Sequence, residues 1–296
     1  MFKNLNAPLL GVSGHQSEII ELALTYGFRG LDLDVVEFTQ RANKHGFSYA
    51  LRLLESAKLL PGCFDLPIEW DVEDDAFKQG LANLPEYVQA AAEAGCTRCL
   101  AVIEPAGDKR PYHENFEFHR RRFSDVCKVL EPSGVRLGLG FRAADDLRKE
   151  WAFQFIHDLE ALVLLVKMID AANVGLLLDT WNAHFSGGSL DSIRGLSAEQ
   201  IVAVRAADLP QDAPADQITE GLRYLPGPEG RVDVTGYLRV LGELGYDGPV
   251  TPAPARKTLR GMRRDEVVRA AGRAMADVWQ VAGLTPEGGL AAAAKS

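Results

Sequence analysis

Cysteine is scarce in this chain, and the four present, Cys63, Cys96, Cys99 and Cys127, are too irregularly spaced for a disulfide framework. That usage fits a reducing compartment. Cys96-Thr-Arg-Cys99 has the spacing of a redox motif. It lies between a helix end and a strand start, however, and no second pair completes a zinc site, so packing cysteines are expected. Also missing is any apolar run of about 18 residues without charge, which excludes a membrane span. The opening Met1-Phe-Lys-Asn-Leu-Asn-Ala-Pro8 has no apolar signal-peptide core. A cytoplasmic protein is expected. There is no basic excess: 32 Lys and Arg against 41 Asp and Glu leave a formal charge of −9. Such a chain repels a polyanion unless its cations are focused, so small molecules are expected as partners, with no nucleic acid and no membrane. No Gly-x-Gly-x-x-Gly follows a strand signal, and no dinucleotide or other cofactor is expected.

What is present is an alternation of strand and helix signals. Eight apolar runs fall at residues 9–12, 30–34, 60–66, 99–103, 135–141, 174–179, 201–206 and 248–251. Helical patterns lie between them at 17–26, 49–58, 74–94, 116–130, 147–172, 234–244 and 265–281. Continuously apolar strands separated by amphipathic helices imply parallel pairing under helical cover. Ser17 is placed to cap the first helix, and Gly27, Gly95, Gly134 and Gly245 each stand between a helix and the next strand, where a left-handed cap suits glycine. Residues 186–195 read as a loop with a short helical turn. With eight strands and 296 residues, against about 250 for a typical (β/α)8 TIM barrel, the expected fold is one α/β barrel over 1–283. The tail, 284–296, loses periodicity and is expected to fray or drape on the surface.

In a barrel the site is built at the C-terminal strand ends. Those ends carry Ser13 and His15, then Asp32, Asp34 and Glu37, then Asp65 and Glu69, then Glu104, then Gly140 and Arg142. Asp179, Trp181, Asn182 and His184 follow the sixth run, Arg205 and Asp208 mark the seventh, and Ala253, Arg256 and Lys257 follow the eighth. Asp32 and Asp34 alternate along one strand and so point to the same side.

The segment Val174-Gly-Leu-Leu-Leu-Asp179-Thr-Trp-Asn182-Ala-His184, followed by Arg223-Tyr-Leu-Pro-Gly-Pro-Glu-Gly-Arg-Val-Asp233 and Gly245-Tyr-Asp-Gly-Pro-Val250, resembles the xylose-isomerase-like barrels. These are sugar and sugar-phosphate isomerases and epimerases, a superfamily that also contains endonuclease IV. The resemblance implies one divalent metal, held by a glutamate after strand five, an aspartate after strand six, a histidine in strand seven and a glutamate after strand eight. The two glutamates also move protons. At the matching positions this chain has Gly140, Asp179, Arg205 and Ala253, so one ligand in four is kept. No metal is therefore expected. Pairing of such barrels through helical faces allows a homodimer.

Arg205 is expected to supply part of the missing charge against Asp179 by a bidentate fork, though without Lewis acidity. The structural alternative is an ion pair that only keeps the barrel mouth folded. Glu104, Asp179, Arg205 and His184 are the candidate catalytic residues, with Glu104 acting as a general base if burial raised its pKa. His15, Asp34, Glu69, Trp181, Asn182, Asp208, Arg223, Arg256 and Lys257 are the candidate substrate-binding residues. Arg256, Lys257, Arg260, Arg263 and Arg264 cluster before the last helix, where positive charge opposes the helix dipole and suggests an anion site shared with Arg223. A solvated surface is the alternative for that cluster. Two functions remain open: proton-transfer chemistry on a small sugar, sugar phosphate or polyol, and non-catalytic carbohydrate binding or assembly on a degraded barrel. A multi-metal nuclease is disfavoured by charge and by ligands.

Overall fold

A computed structural model describes residues 1–214 and 218–291. Its contacts divide the chain into two compact units, Met1–Leu31 with Leu178–Ser296, and Asp32–Leu177.

The first unit begins with β1 (Phe2–Leu5) and α1 (Gln16–Thr25), followed by β2 (Gly30–Leu31). β1 is flanked by parallel neighbours, pairing Asn4 with Gly30 on β2 and Phe2 with Pro249 on the distant β11 (Pro249–Pro252). β10 (Ile201–Ala206) extends the ladder through Val204↔Val250 and Arg205↔Thr251.

The apolar run 9–12, expected as the first strand, is not one. Those residues form a turn instead: the Asn6 side chain accepts the Leu9 amide at 2.7 Å, the Ala7 carbonyl accepts Val12 at 2.9 Å, and Gly11 takes φ 73°. The residue at the cap position of α1 is His15, not Ser17.

The second unit holds α2 (Val35–His45), α3 (Phe47–Ala57), β3 (Leu60–Pro61), β4 (Phe64–Asp65), α4 (Asp74–Glu93) and β5 (Arg98–Ile103). Then come β6 (Ala106–Gly107), α5 (Tyr112–Leu130), β7 (Arg136–Phe141), β8 (Phe153–Gln154) and α6 (Leu159–Ile169). β5 lies parallel to both β4 and β7, and β7 pairs Leu137 with Val174 at the start of β9 (Val174–Asp179). Most residues of β5, β7 and β9 are buried, Ile103, Leu137 and Leu139 completely, the pattern of a parallel sheet covered by helices.

Three expectations fail in this unit. The run 30–34 stops at Leu31, because Asp34 caps α2, a helix not expected from the sequence. The run 60–66 breaks into β3 and β4. The helix expected over 147–172 is confined to Leu159–Ile169, since β8 pairs antiparallel with β6 and Asp158 starts the helix by accepting the Ala161 amide at 2.8 Å.

Beyond β9 the first unit continues with α7 (Thr180–Phe185), α8 (Leu190–Arg194), α9 (Val234–Glu243) and α10 (Arg264–Val281). Gly27, Gly95, Gly134 and Gly245 all have positive φ, as expected of helix stops. The tail is pinned as far as residue 291: Trp279 Nε1 donates to the Thr285 carbonyl at 2.9 Å and the chain's amino group to that of Gly288 at 3.4 Å. The rest of the tail, 292–296, lies outside the described residues. All four cysteines are buried thiols outside any disulfide, and burial pushes those of Cys96 and Cys127 up to about 12, which suits inert packing groups. Among the described residues no helix is long and apolar enough to cross a membrane.

Candidate functional site

β9 ends on Asp179, which is buried and serves as the N-cap of α7. Its Oδ1 accepts the Asn182 amide at 3.0 Å, so a strand of apolar residues passes directly into a helix whose first turn satisfies the carboxylate. Thr180 ties that turn to the end of β10: its hydroxyl donates to the Ala207 carbonyl at 3.1 Å and accepts the Ala207 amide at 3.2 Å. Trp181, on the same turn, is fully buried against Phe185 with ring centroids 4.4 Å apart. Its Nε1 has no hydrogen-bond partner among the described residues.

The other oxygen of Asp179 accepts a hydrogen bond from Arg223 Nη2. Arg223 is 6% exposed, its Nε donates to the Ala253 carbonyl at 3.2 Å, and its Nη1 lies 3.5 Å from Glu220. The guanidinium carbon sits 5.3 Å from the Trp181 ring, within cation–π range. Two carboxylates beside the guanidinium hold its pKa above the ordinary value despite the opposing effect of burial. Arg223, expected to share an anion site with Arg256 and Lys257, is thus placed between the carboxylates of Asp179 and Glu220. Asp179 is hydrogen-bonded by the guanidinium of Arg223, a pairing the sequence had not suggested.

The backbone around Arg223 is held on three sides. Asp208 and Tyr224 exchange amide bonds at 3.0 and 2.8 Å, the Arg223 carbonyl accepts the Ala255 amide at 2.8 Å, and the Thr258 hydroxyl donates to the same carbonyl at 3.3 Å. Asp208 is a loop organiser as well. Its carboxylate accepts the amides of Leu209 at 2.7 Å, Val232 at 2.8 Å and Gly227 at 3.2 Å. A β-carbon on Gly230 would fall 1.4 Å from an Asp208 oxygen, so only glycine allows this packing. Burial nevertheless raises the Asp208 pKa, outweighing those three amides.

His184 ends α7, half-buried, and its pKa is lowered chiefly by burial and then by Arg231, against the pull of Asp208 and Asp233. The imidazole is thus kept uncharged near neutral pH. Tyr237 on α9 is buried, and burial together with Asp233 and Asp179 pushes its hydroxyl to about 12. Asp179, Trp181, Asn182 and Arg223 thus come together, with His184 and Asp208 on the adjoining loop system. Glu220 and Tyr237 were missed, since neither stands at a strand end.

The basic cluster before α10 is largely committed. Arg264 bonds Glu18 at 3.0 Å, Arg263 bonds Glu266 at 3.1 Å and Arg256 donates to the Pro8 carbonyl at 2.6 Å. Lys257 is exposed and lies over Gly221. His15 is exposed, and its amide donates to Glu18 at 2.9 Å.

In the second unit, Glu104 is exposed and paired with Arg142 at 3.6 Å, so the burial on which its general-base role depended is missing. Asp34 accepts the Glu37 amide at 2.9 Å, and Asp32 accepts that of Cys63 at 2.7 Å. Glu69 is exposed in the loop after β4.

The residues at the four ligand positions do not suit a divalent cation. Ala253 has only a methyl side chain, and its carbonyl is taken by Arg223. A β-carbon on Gly140 would lie 3.0 Å from a Leu177 methyl, so that position faces hydrocarbon. Arg205 has no lone pair to give. Both oxygens of Asp179 already accept bonds, one of them from a cation. Among the described residues no group of three or more His, Cys, Asp and Glu is arranged to hold a metal.

Residues 18–277 match the model of the xylose isomerase-like TIM barrel family. An inosose isomerase of Bacillus subtilis (strain 168) is 24% identical over 155 residues, 52% of each chain. The chain spans about half the length of the curated relatives it matches. A solved xylose isomerase domain protein from Alicyclobacillus acidocaldarius is 25% identical with a TM-score of 0.84, covering 95% of this chain and 99% of its own. The crystal structure of IOLI protein with a bound zinc atom shares the fold at 18% identity and a TM-score of 0.77, over 94% of this chain and 98% of that one.

Proposed function

The chain belongs to the xylose isomerase-like TIM barrel family, and on that premise we propose that its Asp179–Arg223 site binds a small uncharged sugar or polyol. The barrel fold expected from the sequence is the family's fold. The observation that carries the reading is the internal pairing of the site's charges. Asp179 and Glu220 face Arg223, and the cationic cluster before α10 is spent mainly on Glu18, Glu266 and a carbonyl. A phosphate would have to break such pairs, whereas a polyol offers hydroxyls to polar groups already in place. The inosose isomerase name of the curated relatives supports the same ligand class.

The reaction we assign is isomerisation or epimerisation. A base removes a proton from the hydroxyl-bearing carbon beside a carbonyl and the electron pair moves onto the carbonyl oxygen as an enediolate; the proton then returns to the other face of the same carbon, or to the neighbouring carbon while the hydroxyl proton passes between the two oxygens. His184 is the base we favour, because burial and Arg231 keep it uncharged and able to accept a proton.

A second reading, a non-catalytic carbohydrate-binding protein, draws support from Gly140 and Ala253, which stand where the family's proton-moving glutamates are expected. One experiment separates the two. Neutral ketoses, aldoses and cyclic polyol ketones are incubated with the protein in D2O, and exchange at the carbon next to the carbonyl is followed by NMR beside calorimetric binding. Exchange that is lost in His184→Gln supports catalysis, and binding without exchange supports the second reading. Tight binding of phosphorylated sugars alone would sink both as stated.

A further inference from the structure

The cation that the family places on its strand-end aspartate has no donor set here, yet a positive charge sits against that aspartate. Arg223 reaches it from a loop 44 residues downstream and links two of the four ligand positions: Nη2 to the Asp179 carboxylate and Nε to the Ala253 carbonyl at 3.2 Å. Backbone bonds from Asp208, Tyr224 and Ala255 fix the loop on either side, so this cation is built in rather than exchangeable. The indole of Trp181 lies beside the guanidinium and keeps a buried Nε1–H without a partner among the described residues.

We infer that the Arg223 guanidinium replaces the family's divalent metal, neutralising Asp179 and, with the Trp181 N–H, supplying donors for an oxygen of the bound molecule. A guanidinium carries five N–H groups in a rigid fork, more than its contacts to Asp179, Glu220 and Ala253 require. It stabilises a developing oxyanion by hydrogen bonding and charge, without Lewis acidity. The replacement does not depend on which sugar is bound, so an empty ligand screen would leave it standing and testable.

Purified full-length protein is titrated with Mn2+, Mg2+, Zn2+ and Co2+ by calorimetry and thermal shift, beside Arg223→Ala, Arg223→Lys and Asp179→Asn. The parent is expected to bind none of these ions stoichiometrically and to show no ion-dependent rise in Tm. Arg223→Ala strands buried Asp179 and should lower Tm by about 5–10 °C. Millimolar guanidinium or a divalent ion should restore at least half of that loss, and Arg223→Lys should retain part of it without additives. A stoichiometric divalent ion in the parent, abolished by Asp179→Asn, would overturn the inference. So would a folded Arg223→Ala protein whose Tm responds to neither guanidinium nor metal. If Arg223→Ala does not fold, the parent, Arg223→Lys and Asp179→Asn titrations decide the matter on the same criteria.

Discussion

His119 shows how far burial alone can displace an ionisation. It sits on α5 with its ring 4.8 Å from that of Phe155 and 5.8 Å from that of Phe123, and its Nδ1 is 2.8 Å from the Asn115 carbonyl. Burial pushes its pKa down to about 4, against the smaller upward pull of the Asn115 carbonyl and Asp71. The unfolded chain takes up this proton near pH 6.5 and the folded chain only near 4, so between those values the unfolded state binds more protons. Stability should therefore be fully present above about pH 6.5 and fall as the pH is lowered, by on the order of 3 kcal/mol on reaching pH 4. Urea unfolding of the parent and of His119→Phe at pH 7.5, 5.5 and 4.5 measures this. The variant should be distinctly flatter across the window, and equal slopes would assign the acid sensitivity to other groups. The same residue lay outside every strand-end list, because a histidine in mid-helix gives no sign of its burial until the helix is packed.

At the scale of elements, one device recurs: an aspartate closes a strand or loop and opens a helix. Asp34, Asp158, Asp179 and Asp233 accept the amides of Glu37, Ala161, Asn182 and Gly236 at 2.9, 2.8, 3.0 and 2.8 Å. This explains why strand-end acids overpopulate a site reading made from sequence, since a cap and a catalytic carboxylate look the same until their partners are known. Asp34→Ala is expected to cost about 1 kcal/mol of stability, with Asp34→Ser recovering most of it. Sugar binding by calorimetry should be unchanged in both, and a tenfold loss of affinity in Asp34→Ser would return Asp34 to the site.

The legible elements were those with mostly apolar runs, β5, β7, β9 and β10, because strands buried on both faces leave little alternation to misread. β1 was lost because Lys3 and Asn4 interrupt a strand of four residues. α2 was lost because Val35-Val36 reads as more strand, although its buried residues Val35, Phe38, Thr39 and Ala42 follow the helical spacing. Asp179 could be found from the end of its run. Its pairing with Arg223 could not, since nothing local links residues 44 positions apart.

For the molecule as a whole, the balance of charge decides which large partners it can meet. The family resemblance includes a DNA-repair branch, and a protein that grips a duplex must neutralise phosphates with several focused cations, releasing counterions as it does so. This chain has a formal charge of −9, and much of the basic cluster before α10 is committed: Arg263 to Glu266, Arg264 to Glu18 and Arg256 to the Pro8 carbonyl. The remaining exposed cations there, Lys257 and Arg260, are two among 32 basic residues that 41 acids outnumber. Such a pair could contribute a salt slope of only about −2 in log K against log salt, far short of the several phosphate contacts that specific binding needs. Duplex DNA, with or without an abasic site, should therefore show no retention in electrophoretic shift at 50 mM salt and micromolar protein, and no cleavage when Mg2+ or Zn2+ is added. Saturable binding that weakens steeply with salt would contradict this, and its loss in a Lys257→Ala/Arg260→Ala double variant would locate the contact before α10.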